Sequence, residues 1–556
     1  MQPVITSAQM RDIDRLTTER YGIPSLVLME NAAAAVVRVV GSVFAGDFTN
    51  KTALVLCGPG NNGGDGAAVA RLLAHAGANV LAVLFGNIAG TKGDARTNFE
   101  ALAAIAEADA ETLAGSIRFI QCRSNDDSSN VEEYLSQPVD VIVDGLFGTG
   151  LSRPLEGIYS KVVPGINQLR QSGMRNPLVV SIDIPSGLDS DNAELIGATV
   201  DADITVTMTA PKLANVLAPA SDYNGRLIVA DIGSPSQLLA ETKADLFLTD
   251  ENDAKRWLIA TRYTPDSYKK THGHALIVAG ARGFTGAATL CANAAMRAGA
   301  GLVTVATSLS AQPLVVSQVM PEVMTTGLAE TDRGAVSDEA FDYFAKFSER
   351  ADVVAIGPGL SYEDERTRAF VHKVVGQRRT PIVIDADGLN CLSPWPHELR
   401  GSSELPIVLT PHPGEMLRLM GAKDKTALDN RAAAARRFAI EHQVILLLKG
   451  GRSLIAAPDG RVFLNPTGNA GLGTAGAGDT LTGVVSGFLA QTQAGAGKRV
   501  AALETVVAAL YVSGLAGDLA ARELGMRAMT ASDIREHLSQ AFCELDPSGE
   551  IPNSIA

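Results

Sequence analysis

Along the first 230 or so residues, short apolar runs rich in β-branched residues alternate with Ala- and Leu-rich stretches of helical period. "TALVLCG" (52–58), "VDVIVDGLFG" (139–148), "PLVVSIDIPSG" (177–187) and "DITVTMT" (203–209) read as strands. Their apolar positions run on instead of alternating, so both faces of each strand need covering, as in a parallel sheet. Between them, "DGAAVARLLAHAG" (65–77) reads as a helix. The rhythm is βαβ and predicts a Rossmann-like, doubly wound α/β domain.

Glycine, proline, serine and acidic residues interrupt the rhythm in "GSPSQLLAETKADLFLTDENDA" (233–254). It then restarts with "HALIVAG" (274–280), "LVTVAT" (302–307), "DVVAIGPG" (352–359), "PIVIDADG" (381–388), "LPIVLTPHPGE" (405–415) and "VILLLKGG" (444–451). A chain of 556 residues is too long for one core. Two α/β domains are expected, residues 1–235 and 236–556. They share a rhythm but no motif, so no internal repeat is read.

Composition narrows the partners. A formal charge of −14 and a pI near 5.1 argue against a nucleic-acid protein. Cys57, Cys122, Cys291, Cys391 and Cys543 are scattered and odd in number, without metal-site spacing, and read as reduced thiols. The N-terminus has no signal-peptide pattern. The longest uncharged apolar stretch, "TVVAALYVSGLAG" (505–517), is shorter than the ~20 residues a membrane span needs. The expectation is a cytoplasmic enzyme, a homo-oligomer with small-molecule substrates and without a membrane partner.

In the first half, "CGPGNNGGDG" (57–66) follows a strand and opens a helix. Its glycines admit a ligand close to the backbone, and the helix start supplies N–H donors for an anion. Asn61, Asn62 and Asp65 add side-chain oxygens. Asp144 and Asp183 stand at two further strand ends, where ligands bind in open α/β sheets. Oxygen donors without His or Cys point to a hard cation: sodium, potassium, magnesium or calcium.

Together "LMENAAAAV", "GPGNNGGDG", "VDGLFGTGLSRP", "IDIPSGLDSD" and "APK" resemble the epimerase domain of the NAD(P)H-hydrate repair enzymes. The resemblance implies a domain that interconverts the R and S forms of NAD(P)H hydrated at C6 of the nicotinamide ring. By motif, Asn61, Asn62, Gly63, Gly64 and Asp65, with Gly148, Thr149, Gly150, Leu151, Ser152, Arg153 and Pro154, would line the hydrate site. Asn62, Asp144 and Ser186 would hold potassium. Asp183 would contact the substrate and carry a proton.

The second half ends its strands in "GARGFTGAATL" (280–290), "AIGPGLS" (355–361), "TPHPGEM" (410–416) and "LKGGRS" (448–453). Lys449 or Arg452 could meet a nucleotide phosphate, and His412 is fixed between two prolines. "GTAGAGDTLTG" (473–483) reads as a ribokinase-like anion hole. Its glycine N–H groups would stabilise a phosphoryl group, and Asp479 would take the proton of the attacking hydroxyl. With "YKKTHGHALIVAG", "PEVM" and "IDADGLN", these motifs resemble the nucleotide-dependent NAD(P)H-hydrate dehydratases. That resemblance implies that Ala287, Gly359, His412 and Asp479 contact the S-hydrate. Lys449, Gly450, Gly451, Arg452, Ser453 and Gly478 would contact ADP, bound with magnesium. Phe284 stands where many members have Tyr. The combined expectation is a bifunctional enzyme acting on NADHX and NADPHX. The alternative is a thiazole or hydroxymethylpyrimidine kinase with a non-catalytic first half.

Overall fold

The computed structural model describes residues 1–108, 114–122, 138–171, 176–494 and 500–546. It divides into two compact units, Gln2–Ala244 and Asp245–Ala556, with Met1 assigned to the latter. Leu238, on the short helix Ser236–Glu241, is buried in the first unit's core, so that unit extends past the break read at 235.

The first unit is built on seven parallel strands: β1 (Thr52–Cys57), β2 (Asn79–Phe85), β3 (Ser116–Cys122), β4 (Val141–Gly145), β5 (Leu178–Ile182), β6 (Ile204–Met208) and β7 (Arg226–Ala230). Their order is β3-β2-β1-β4-β5-β6-β7. Successive residues of one strand enter different cores. Val55 and Val143 join the helices α1 (Ser7–Tyr21), α2 (Ser25–Val43) and α3 (Asn61–His75). Leu54, Leu56 and Ile142 join Val162, Val163 and Ile166 from the helix Tyr159–Gln171. Both faces of the central strands are covered, which is why β1, β2 and β4 are largely continuous apolar runs. The order reverses between β1 and β4, and a crevice opens there at the strands' C-terminal ends.

The second unit's strands are β8 (Leu246–Leu248), β9 (His274–Val278), β10 (Leu302–Ser308), β11 (Met324–Leu328), β12 (Val353–Ile356), β13 (Ile382–Ile384), β14 (Ile407–Leu409), β15 (Ile445–Leu448), β16 (Leu454–Ala456) and β17 (Val462–Leu464). They lie in the order β8-β17-β16-β15-β14-β13-β12-β9-β10-β11, with β16 antiparallel to both neighbours. The reversal falls between β9 and β12. Helices α4 (Thr285–Arg297), α5 (Ala477–Gln493) and α6 (Ala502–Leu524) supply much of the core over this sheet, and Trp257 stacks on Phe488 of α5 at 3.7 Å. Helices α2 and α6 are long and apolar enough to cross a membrane, but each packs its apolar residues into the core of its own unit.

Candidate active sites

Helix α3 starts at Asn61, four residues earlier than the pattern suggested, so "NNGGDG" is its first turn and not a loop. Two glycines there are packing residues. A Cβ on Gly63 would sit 1.7 Å from the Gly58 carbonyl oxygen, and one on Gly64 would sit 2.6 Å from Ala95 Cα. The first lets α3 press onto the end of β1 and the second lets it press onto the helix Gly93–Glu107, and neither lines the cleft.

The switch-point cleft, about 550 Å³, is lined by Asn61, Asn62, Asp65, Gly148, Thr149, Gly150, Leu151 and Asp183. Ser152, Arg153 and Pro154 continue that loop but are not in its wall. Asp183 has φ of 63°, a conformation rare outside glycine and tolerated by Asp. This turn aims its carboxylate at Lys212, which is fully buried, with Nζ donating to Asp183 Oδ1 at 2.5 Å. The ammonium also donates to Thr207 Oγ1 and the Met208 carbonyl, each at 3.0 Å. Lys212 ends "APK"; it was read as part of a motif and given no role.

Asp144 is fully buried and pairs in register with Ser181 on β5. Its Oδ2 accepts from Ser181 Oγ (2.8 Å) and the Ser186 amide (2.9 Å). Its Oδ1 accepts from Ser186 Oγ (2.5 Å) and the Leu146 amide (3.3 Å). Burial raises this carboxyl above the usual range, and the bonds from Ser186, Ser181 and Leu146 oppose that. Asn62 approaches through its backbone oxygen, 3.1 Å from where a Cβ on Gly145 would be. Its Nδ2 is buried without a hydrogen-bond partner among the described residues. Among the described residues Asp144 has no ion-pair partner, and its charge is met by these four hydrogen bonds.

Asp14, on α1, lines the same cleft and was not read from the sequence. The signal was present: Met10, Asp14 and Thr17 share one helical face, and Met10 and Thr17 are buried. An acid on a buried face is the informative exception.

In the second unit, β13 ends in Asp385, whose carboxylate is 1% exposed. Ala386 follows at φ 48°, a strained position for a β-carbon residue. Asp385 Oδ1 accepts from Lys449 Nζ at 2.8 Å, and its Oδ2 from Thr482 Oγ1 at 2.7 Å. Lys449 leaves β15 for this pair and reaches the first turn of α5: a Cβ on Gly478 would be 3.2 Å from its Nζ. Burial alone would lower the Lys449 pKa, but Asp385 and then Glu415 hold it above its ordinary value. Asp479 is the third residue of α5. Burial, followed by the charge of Asp385, lifts it to about 6 against the pull of Lys449.

Gly450, Gly451, Arg452 and Ser453 form the turn after β15, held by Arg431, which donates to the Gly451 and Lys449 carbonyls at 2.9 and 3.1 Å. His412 caps the helix Pro413–Leu419. Its Nδ1 accepts from the Gly414 amide at 3.0 Å, leaving Nε2 3.5 Å from Glu415 Oε1. Gly359, at φ 63°, has room only for hydrogen: a Cβ would lie 2.8 Å from the Phe284 carbonyl and 3.0 Å from Ala287 Cβ. Ala287 and Gly359 therefore meet at the β9/β12 reversal. Their loop is tied to the strained turn by the Ser361 amide, which donates to Asp387 Oδ2 at 2.9 Å. Asp385, Asp387 and Thr482 were missed as site residues, although "IDADGLN" was noted as a motif.

Residues 25–214 match the family described as YjeF-related protein N-terminus, and residues 275–540 match the NAD(P)H-hydrate dehydratase family. The Bifunctional NAD(P)H-hydrate repair enzyme Nnr of Moorella thermoacetica is 39% identical over 549 residues, covering 98% of each chain. The chain belongs to the bifunctional NAD(P)H-hydrate repair enzymes. As a member of that family it pairs an epimerase half with a dehydratase half, and the two-domain α/β fold is the one expected. Among solved structures, the ADP/ATP-dependent NAD(P)H-hydrate dehydratase of Bacillus subtilis, co-crystallised with ATP and Mg²⁺, is 30% identical. It matches 54% of this chain and 98% of its own, with a TM-score of 0.46. A ribokinase-like superfamily protein from Enterococcus faecalis is 26% identical over 54% of this chain and 96% of its own, with a TM-score of 0.45.

Proposed function

We propose that this NAD(P)H-hydrate repair enzyme epimerises C6 in the Asp183–Lys212 cleft and dehydrates the S form at Asp479, using ADP. The observation that carries the dehydratase assignment is a carboxylate lifted to about 6 in the first turn of a helix, beside a buried Lys–Asp pair. Near neutral pH that carboxylate is ionised yet basic enough to take a hydroxyl proton. The first-turn amides of α5, which have no intrahelical acceptor, and the Lys449 ammonium face the phosphoryl group. The C6 oxygen attacks the β-phosphorus of ADP, Asp479 receives its proton, and AMP leaves. The C6–O bond then breaks with phosphate as leaving group, and a proton lost from C5 restores the C5=C6 double bond. Ala287, Gly359 and His412 would border the hydrate, and the 449–453 turn the nucleotide.

Magnesium would ride on the ADP phosphates, neutralising their charge, with Asp479, Asp387 or Glu415 supplying the one or two carboxylates it needs. Potassium would be held in the first unit by oxygens of Asn62, Asp144 and Ser186, Asp144 being a buried carboxylate. It would supply the counter-charge that Asp144 lacks. Both NADHX and NADPHX are substrates in this reading. Incubation of the S-hydrate with ADP, magnesium and the protein should release one AMP and one phosphate per NADH formed. Accumulation of a stable phosphorylated product would point instead to a kinase.

A further inference from the structure

The epimerase cleft holds an acid that the functional reading has not used. Inverting C6 breaks and remakes its bond to the hydroxyl oxygen. As the bond breaks, the N1 lone pair forms C6=N1, and the departing hydroxide takes a proton to become water. Water then adds to the other face of C6 and gives up a proton. One group must donate and another accept, and they exchange duties in the reverse direction. Asp183, ion-paired to Lys212, suits the acceptor.

We propose that Asp14 of helix α1 is the second proton-transfer group of the epimerase, working opposite Asp183 across the same cleft. Three observations support this. Asp14 lines the cleft together with Asp183 and Lys212 but comes from a different element. Its Oδ1 is buried and has no hydrogen-bond partner among the described residues, an arrangement that costs free energy unless a ligand completes it. The charged groups around it set its proton affinity. Burial raises Asp14 to about 6, Lys212 opposes that, and Asp183 adds to it; Asp65 from α3 and Arg11 from α1 also border the space. A group titrating there can both give and take a proton near neutral pH. Asp65 is less suited, because deeper burial, followed by Asp183 and Asp14, raises it well above the usual range.

The test uses the full chain, R-NADHX, ADP and potassium, with enough protein activity on the S form that epimerisation limits the rate. Asp14→Asn should lower the kcat of epimerisation by roughly 10²–10⁴-fold, with KM changed only a few-fold. The wild-type profile should carry a limb near pH 6 that the Asn variant loses and Asp14→Glu keeps, at reduced rate. Dehydration of the S form should be unchanged in both variants. An Asn variant with more than a tenth of wild-type epimerisation, or a loss confined to KM, would overturn the proposal. Should the Asn variant fail to fold, the Glu variant decides alone: a retained limb supports the role, and a full-rate profile without one removes it.

Discussion

Replacing Asp479 by Asn separates its chemistry from its place in the helix. Asn keeps the size and polarity but cannot accept the hydroxyl proton. Losing a general base costs roughly 10²–10⁴-fold in rate, which is ~3–5 kcal/mol of barrier at ~1.4 kcal/mol per decade. Stability should move the other way. A rise of the carboxyl to about 6 means that the folded state prefers the protonated form. Because the folded pKa lies above the unfolded one, stability falls as pH rises from about 4 to 6 and stays lower at neutral pH. The penalty at neutral pH is at most ~3 kcal/mol, at ~1.4 kcal/mol per pH unit. Against it stands the favourable pairing of a carboxylate with the α5 N-terminus, ~0.3–1 kcal/mol. Asp479→Asn should therefore leave the second unit equally or more stable at pH 7 while abolishing most turnover.

The assay is S-NADHX dehydration with ADP, followed by absorbance of the regenerated dihydronicotinamide, alongside a urea melt. In wild type, kcat should drop about tenfold per pH unit below 6, as the base is protonated. The variant should lack that slope, bind adenine nucleotide with little change, and epimerise normally. A variant retaining more than a tenth of wild-type dehydration would remove Asp479 from the mechanism, and one less stable by over ~1 kcal/mol would contradict the destabilising rise of its carboxyl.

Lys449→Met leaves Asp385 buried with only Thr482 as partner, and should destabilise the second unit by ~3 kcal/mol; a denaturation midpoint unchanged from wild type would contradict the buried pair. Gly63→Ala would stabilise a free helix by ~1 kcal/mol, but here its methyl meets the Gly58 carbonyl, so the first unit should lose stability and epimerisation; the sign of the change in a melt decides. Asp144→Ala, or exchange of potassium for a large organic cation, should slow epimerisation while dehydration holds. Equal epimerisation rates in the two cations would take the ion out of the account.

The sequence displayed the strands best where both faces are buried. β1, β4 and β5 are mainly apolar runs and β6 alternates apolar residues with threonine, all four almost wholly buried, and each was found within a few residues. β3 was not read, because its residues are mostly only part-buried and include Arg118 and Gln121. β2 is apolar throughout but follows the Ala-rich end of α3 too closely for periodicity to part them. β16 and β17, three residues each, were not read either. The sites followed the same logic. Glycine-rich strand ends were visible, so Gly148 was placed on its loop and Asp479 at its helix start, whereas Asn61 and Asn62 lie in the first turn of α3 and not on the loop expected. Partners brought in from distant segments were not: Lys212 reaches Asp183, Asp385 reaches Lys449, and Asp14 enters on a helix outside the βαβ series. Burial of a charge is a tertiary fact, and only an acid on an apolar helical face hinted at it.

The central claim is that one chain performs both repair steps. Mixed R- and S-NADHX, given to the intact protein with ADP, magnesium and potassium, tests it in a single trace of dihydronicotinamide absorbance. Recovery of the whole hydrate pool, fast for the S fraction and slower for the R fraction, is the predicted result. Recovery that stops at the S fraction, or an R phase no faster than the spontaneous epimerisation measured without protein, would contradict it.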